Sequence, residues 1–362
     1  MRILYGVVGE GMGHAMRSSV VVGRLLALGH EVRIVVSGRA AEYLDRRYPG
    51  TVTRITGLSM VYEDNMVQKF KTALQNLKAL AGVPDNFIAY AEMARNFSPD
   101  VVVSDFESWV YWFAKGQNIP ILSVDNMQVI ARCHHDDDVL GSEMPEFLFT
   151  KNFVRAKLYG CNAYLITTFF YPHVKRDRTT LHPPILRDII CEAKKKVRAG
   201  DHIVVYQSGT SHDQLVDELL RIDAEFRIYG LRRDLTTDLV QDNLTFRPFS
   251  ETTFIDDLAS ARAVIAGGGF TLMGETVFLG KPMLSVPLIG QFEQILNANY
   301  LAKLGYGERT SHIDQASVTR FLARTQQYAE NLSTFEHDSN EGFYRQLDLS
   351  IEQAIAEGSL AI

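Results

Sequence analysis

The sequence predicts an α/β protein made of two open, mostly parallel sheets, each covered by helices on both faces. Three observations predict it. Short apolar runs, many of them β-branched, alternate along both halves of the chain with longer stretches of helical spacing. At 362 residues the chain is long for a single core and suits two domains. Near its middle, the adjacent Pro183 and Pro184 can neither continue a helix nor donate to a strand ladder, so they read as a stiff connector.

In the first half, residues 3–8, 31–36, 101–104, 121–124 and 163–167 read as buried strands. A helix over 14–28 follows the first strand and stops at Gly29, a residue suited to the left-handed turn at a helix end. The second half repeats the pattern, with strands at 202–206, 225–229, 244–246, 263–266 and 283–286. A helix over 270–279 separates the last two, and another enters at Glu293. The tail offers a helix over 341–357 with Phe343, Leu347, Leu349, Ile351 and Ile355 as its apolar positions. It packs on the second domain or crosses back to the first. The predicted division is residues 1–182 and 187–335, followed by the tail 336–362.

Composition narrows the function. A net charge of -6 and a pI near 5.9 give no general attraction for nucleic acid phosphates, so no nucleic acid partner is expected. Cys133, Cys161 and Cys191 are odd in number and far apart, with neither a disulfide framework nor a zinc spacing. The first eight residues are apolar too briefly for a signal peptide, and no run approaches the roughly twenty apolar residues of a membrane span. The expectation is a cytoplasmic protein.

The stretch from Gly267-Gly268-Gly269-Phe270 through Glu275 and Gly280-Lys281-Pro282 to Glu293-Gln294 carries the most chemistry. Glycines at a strand-to-helix turn let a backbone approach a ligand, and the helix start behind them favours a phosphate. Glu275, about one and a half turns on, suits the two hydroxyls of a ribose. Glu293 and Gln294 pair an acceptor-only group with an amide that donates and accepts, a combination suited to sugar hydroxyls. The glycines alone would equally suit a β-α-β unit in which they only permit close packing. Glu275 and the Glu293-Gln294 pair, at these spacings, favour a nucleotide-sugar site.

This order of residues, with Asn297 and Ala298 after it, resembles the donor-binding segment of GT-B glycosyltransferases. The likeness is greatest to the UDP-glycosyltransferases and the N-acetylglucosaminyltransferase of peptidoglycan synthesis. The resemblance implies two facing Rossmann-like domains with a cleft between them. It also implies hexosyl transfer with inversion from a nucleoside diphosphate sugar, a UDP-sugar, to a hydroxyl acceptor, with no cofactor and no catalytic metal. A lipid-linked acceptor and a polysaccharide both stay open, and with them peripheral contact at the inner face of a membrane. The rival readings are a nucleotide-sugar epimerase or hydrolase on this fold and a non-catalytic nucleotide-binding subunit of a glycosyltransferase complex.

The first strand runs into Gly9-Glu10-Gly11-Met12-Gly13-His14. This is not a dinucleotide fingerprint: the glycines alternate, and no acidic residue ends the second strand. It resembles the first loop of GT-B enzymes, where glycines and a His face the cleft, so Gly13 is included among the substrate-binding residues. The helix dipole disfavours a cationic His at a helix start, and the resemblance implies that His14 is the base on the acceptor hydroxyl. Capping the helix or bonding the acceptor is the alternative. Arg17, one turn on, either reaches a phosphate or is an ordinary surface Arg. Asp105, at the carboxyl edge of its strand, either orients His14 or caps the following helix. Ser208-Gly209-Thr210, after the first strand of the second half, offer amides and hydroxyls to a diphosphate.

Three further segments read more plainly. Cys133-His134-His135-Asp136-Asp137-Asp138 looks metal-like, but consecutive residues rarely share a coordination sphere, and a solvated loop is the better reading. The amphipathic stretch 67–80 reads as a core-facing helix rather than a bilayer contact. Trp109, Tyr111, Trp112 and Phe113 read as core rather than as a sugar platform.

Overall fold

The computed structural model describes residues 1–9, 11–56, 62, 63, 66, 67, 83–207 and 213–360. Among them, two seven-stranded sheets form the frame of an α/β, two-domain fold. The first sheet runs, edge to edge, Val52–Arg54, Glu31–Val36, Arg2–Val7, Val101–Asp105, Ile121–Asp125, Ala163–Thr167 and Thr179–His182, all parallel. Its central strands are buried on both faces, which is why they read as continuous apolar runs. The second sheet runs Leu239–Gln241, Leu244–Arg247, Phe226–Tyr229, Ile203–Tyr206, Ala263–Ala266, Met283–Ser285 and Gly307–Arg309. Only its first pair is antiparallel. In both sheets the strand order reverses beside the first strand, which places crevices at the carboxyl ends of the central strands.

The edge strands Val52–Arg54, Thr179–His182, Leu239–Gln241 and Gly307–Arg309 add to the expected set. They are short and partly exposed, so their sequence lacks the apolar run that marks a buried strand. The helix Met12–Ala27 ends where Gly29, at φ +79°, lets its N–H and that of His30 reach back to the carbonyls of Leu26 and Leu25.

Two packing features position the site. Phe343, Leu347, Ile351 and Ala354 of the helix Glu341–Glu357 share a buried cluster with Ile3, Tyr5, Val103 and Leu122 of the first sheet, so the tail lies on the first domain. A second cluster unites the domains. Phe169 and Phe170, which follow strand Ala163–Thr167, stack on Phe270 and Tyr300 of the second half, the latter pair with ring centroids 3.9 Å apart. The helix Phe270–Leu279 is buried at eight of its ten positions because it is enclosed from both sides.

Candidate active site

The site begins where Arg2–Val7 runs out. Gly9 touches the next strand's end so closely that a Cβ there would lie 2.1 Å from the Ser37 carbonyl oxygen. Gly11 then caps the helix in extended conformation, with no side chain bonded to its first turn. Gly13 faces the second domain: Thr271 Oγ1 donates to its carbonyl at 3.1 Å, and a Cβ would sit 2.8 Å from that hydroxyl. The two domains therefore meet beside His14.

His14 Nδ1 lies 2.7 Å from Asp105 Oδ1, and the His14 side chain keeps 19% exposure. Asp105 ends its strand and is fully buried. Its oxygens also accept from Arg17 Nε at 3.1 Å, from Arg17 Nη2, and from Ser18 Oγ at 2.7 Å. Burial alone would raise the Asp105 pKa, but the Arg17 charge and the hydrogen bonds from Arg17 and His14 hold it down to about 2. An ionised Asp105 assigns the Nδ1 proton to the hydrogen bond between them. His14 Nε2 is then the nitrogen with a lone pair, and it bonds nothing among the described residues.

The helix cap falls to Glu107, whose carboxylate accepts from the Val110 N–H at 2.8 Å, which leaves Asp105 to His14. Between the two acids, Phe106 takes the left-handed region at φ +54°, the turn that points one inward and the other at the helix. Arg17 departs from both expectations for it. Its side chain is 3% exposed and its guanidinium is engaged inside the protein, through Nε and Nη2 on Asp105 and through Nη1 on Asn126 Oδ1 at 3.1 Å, with Nη2 also 2.9 Å from His14 Nδ1. It fixes the carboxylate rather than reaching a phosphate.

Across the cleft, Gln294 and Asn297 hold the glycine turn. Gln294 Oε1 accepts from the N–H groups of Gly268 at 3.2 Å and Leu288 at 3.1 Å, and Asn297 Nδ2 donates to the Gly268 carbonyl at 3.1 Å. Gly268 permits this: a Cβ would stand 2.5 Å from the Gln294 carbonyl oxygen. Gly269 opens the helix Phe270–Leu279 without a side-chain cap, leaving its first N–H groups available to an anion. Phe270 is buried against Phe169 and belongs to the interdomain core. That burial places its side chain in the core and leaves its backbone N–H, at the helix start, as the group of Phe270 that can meet a ligand. Glu293 is half-buried, and its Oε1 accepts from Asn126 Nδ2 at 2.7 Å, which links it through Arg17 to Asp105.

Glu275 is buried and paired. Arg187 Nε donates to its Oε1 at 2.9 Å, and the same guanidinium bridges to Glu251. Burial raises the Glu275 pKa against the lowering effect of Arg187. Arg187 stands just after the Pro-Pro connector, and neither it nor Asn126 was singled out in the sequence. A buried acid needs a cation, which was the available signal for Arg187; nothing local marked Asn126. Ser208, Gly209 and Thr210 lie outside the described residues, as do residues 68–80 of the expected amphipathic helix.

The acidic loop differs from its reading. His135 is buried, not solvated: Nδ1 lies 2.9 Å from the Tyr300 hydroxyl and Nε2 3.0 Å from the Val129 carbonyl. Asp136 and Asp138 both bind Lys303 of the second domain, at 2.9 and 3.0 Å. Among the expected core aromatics, Trp112 instead stands 59% exposed. No helix among the described residues is long and apolar enough to cross a membrane.

The arrangement can take a proton on the first domain while holding an anion on the second. Comparison with known proteins places it. A family model described as "Glycosyl transferase family 1" matches residues 1–326. An uncharacterized glycosyltransferase of Methanosarcina mazei is 25% identical over 350 residues, covering 86% of each chain. A UDP-N-acetylglucosamine–N-acetylmuramyl-(pentapeptide) pyrophosphoryl-undecaprenol N-acetylglucosamine transferase of Bacillus cereus is 29% identical over 102 residues, covering 25% of this chain and 28% of that one. Among solved structures, Arabidopsis thaliana UGT89C1 complexed with UDP-L-rhamnose superposes with a TM-score of 0.67 at 15% identity, covering 98% of this chain and 99% of that one. The MurG of Acinetobacter baumannii does so with a TM-score of 0.60 at 14% identity, covering 96% and 99%. These likenesses identify the fold as GT-B.

Proposed function

The chain belongs to glycosyl transferase family 1, and we propose that within it this glycosyltransferase moves a hexosyl unit from a UDP-sugar to a hydroxyl acceptor with inversion. The observation that carries the reading is the His14–Asp105 pair, with Nε2 of the imidazole unbonded among the described residues, next to a glycine-led helix start of the other domain. His14 Nε2 takes the acceptor's proton as its oxygen attacks the anomeric carbon. The bond from that carbon to the diphosphate oxygen breaks on the opposite face, and the leaving group keeps the electron pair. Asp105 stabilises the imidazolium that forms. The uncapped N–H groups at Gly269 and Phe270, with Gly268 and the amides and hydroxyls of Ser208, Gly209 and Thr210, receive the diphosphate's charge.

Glu293 and Gln294 are the proposed sugar contacts, Glu293 through the oxygen that Asn126 leaves free and Gln294 through its amide nitrogen. Glu275 is the proposed ribose contact. In the ligand-free arrangement Arg187 occupies that carboxylate, so ribose binding on this reading shares or displaces the guanidinium. The resemblance of Glu275, the glycine turn and the Glu-Gln pair to the UDP-sugar users supports this donor, as do neighbours that were solved with UDP and UDP-L-rhamnose.

The test is direct. The protein is incubated with a panel of nucleoside diphosphate sugars and hydroxyl acceptors, and nucleotide release and the anomeric configuration of the product are followed. UDP release that requires an acceptor, with inverted configuration, is the expected result. Release of free sugar alone would make the protein a hydrolase, and retained configuration would remove His14 as a single-step base.

A further inference from the structure

Asn126 follows the strand Ile121–Asp125 at its carboxyl end and is 2% exposed. Its backbone is fixed by the turn it opens. Its carbonyl accepts from the Val129 N–H at 3.2 Å, and the neighbouring Asp125 carboxylate accepts from the Gln128 N–H at 2.9 Å. Its side chain is held at both ends. Oδ1 accepts from Arg17 Nη1 at 3.1 Å, and Nδ2 donates to Glu293 Oε1 at 2.7 Å. A guanidinium only donates and a carboxylate only accepts, so a single orientation of the amide serves both.

Glu293 stands in the first turn of the helix Phe292–Lys303, on the second domain. The Asn126 bond therefore crosses the cleft and completes a continuous chain of contacts from His14 through Asp105, Arg17 and Asn126 to Glu293. The three inner members are buried, so the chain holds its geometry before any substrate arrives. An asparagine that only closed the interface could bond a backbone group, as Asn299 does when its Nδ2 donates to the Val139 carbonyl of the first domain at 2.7 Å. Asn126 instead spends both ends of its amide on side chains of the candidate site.

We propose that Asn126 is a positioning residue for the donor sugar. From the first domain it holds Glu293 Oε1, and so turns the other oxygen of that carboxylate towards the sugar of a nucleoside diphosphate sugar. The inference rests on the reading of Glu293 as a sugar contact. The bond forms only when the two domains stand at this spacing, so the sugar is gripped in the same arrangement in which Asp105 holds His14. UDP, which carries no sugar, makes no use of it.

The experiment measures binding of UDP, UDP-glucose and UDP-N-acetylglucosamine to the full chain by calorimetry at about pH 8, above the ordinary carboxylate range, with melting temperatures alongside. Asn126→Asp keeps an acceptor for Arg17 but sets a carboxylate against Glu293. It should weaken the tighter-binding UDP-sugar by about tenfold or more, while UDP affinity stays within about twofold. Asn126→Ala, which removes both bonds and adds no charge, should give the same split. Adding Glu293→Gln to Asn126→Asp again sets a donor against an acceptor, with the polarity reversed. Relative to Asn126→Asp alone, the pair should recover at least about threefold in UDP-sugar affinity, with Glu293→Gln alone as the reference for the cycle. Equal weakening of UDP and the UDP-sugar, weakening of neither, or no recovery in the double variant overturns the proposal. So does a lower melting temperature with all affinities intact, which would make Asn126 a packing residue of the interface. A parent that binds UDP but neither UDP-sugar overturns it as well. Failure of the donor reading itself looks different: the parent then binds none of the three, and the inference falls with it.

Discussion

At the scale of single residues, the candidate base depends on one buried carboxylate. Asp105 is held by Arg17, Ser18 and His14 together, so its charge and position are fixed before any substrate arrives. His14→Ala should lower turnover by roughly 10²–10⁴-fold, the usual range for a positioned proton acceptor. UDP affinity, measured by calorimetry, should barely change, because the proposed nucleotide contacts lie on the second domain. Near-normal turnover would reduce His14 to a bystander. Asp105→Asn keeps the shape but removes the charge that stabilises the imidazolium. It also leaves Arg17 as a buried cation without its carboxylate, so both turnover and melting temperature should fall. The two substitutions thus separate chemistry, lost in both, from the stability lost mainly at Asp105. Both residues were legible in the sequence because each stands at a place local pattern can find, a helix start after a strand and the carboxyl end of another strand. Arg17 was visible but misread. Whether an Arg near a helix start points to solvent or to a carboxylate 88 residues away is settled by tertiary packing, which no local spacing records.

At the scale of elements, the glycine turn at Gly267–Gly269 is shaped by the helix Phe292–Lys303, the third element after it. Gln294 and Asn297 of Phe292–Lys303 grip Gly268 from opposite sides, so the turn and the Glu293-Gln294 pair move as one unit. Gly268→Ala would drive a Cβ into the Gln294 carbonyl and should cost about 1–3 kcal/mol, visible as a lower melting temperature, with weakened UDP binding. If UDP binding survives a clear loss of stability, the turn is structural and the phosphates lie elsewhere. The uncapped start of Phe270–Leu279 also predicts that UDP binding and turnover persist in excess EDTA, since backbone N–H groups supply the charge complement. Loss of both with chelator, restored by magnesium, would contradict this. The central strands and the long helices were readable from apolar runs and the Gly29 stop. The four edge strands were not, because half-exposed strands of three or four residues carry no distinctive period.

At the scale of the whole molecule, the domains share one apolar core and should unfold together. Phe169 and Phe170 of the first half stack on Phe270 and Tyr300 of the second, and His135 joins them through Tyr300. Burial pushes His135 down to about 4, and it does the same to His182, which lies edge-on to Phe343 of the tail helix. An unfolded histidine binds a proton below about 6.5, while these folded ones refuse it until about 4. Between those values the unfolded state holds more protons, so stability falls as pH drops through that window and is unaffected above it. Asp105 acts in a separate, lower window. Its folded pKa of about 2 lies below the unfolded value near 3.9, so its contribution persists to about pH 4 and is lost beneath it. Urea unfolding at several pH values should therefore show one cooperative transition whose free energy declines from about pH 6.5 to 4, by on the order of a few kcal/mol per histidine. His135→Gln retains a donor and an acceptor for Val129 and Tyr300 but does not titrate. It should be somewhat less stable than the parent at pH 7, yet lose less on acidification, so the two curves converge towards pH 4. Parallel curves would show that His135 takes up its proton as readily folded as unfolded, and would remove it as a source of the acid sensitivity.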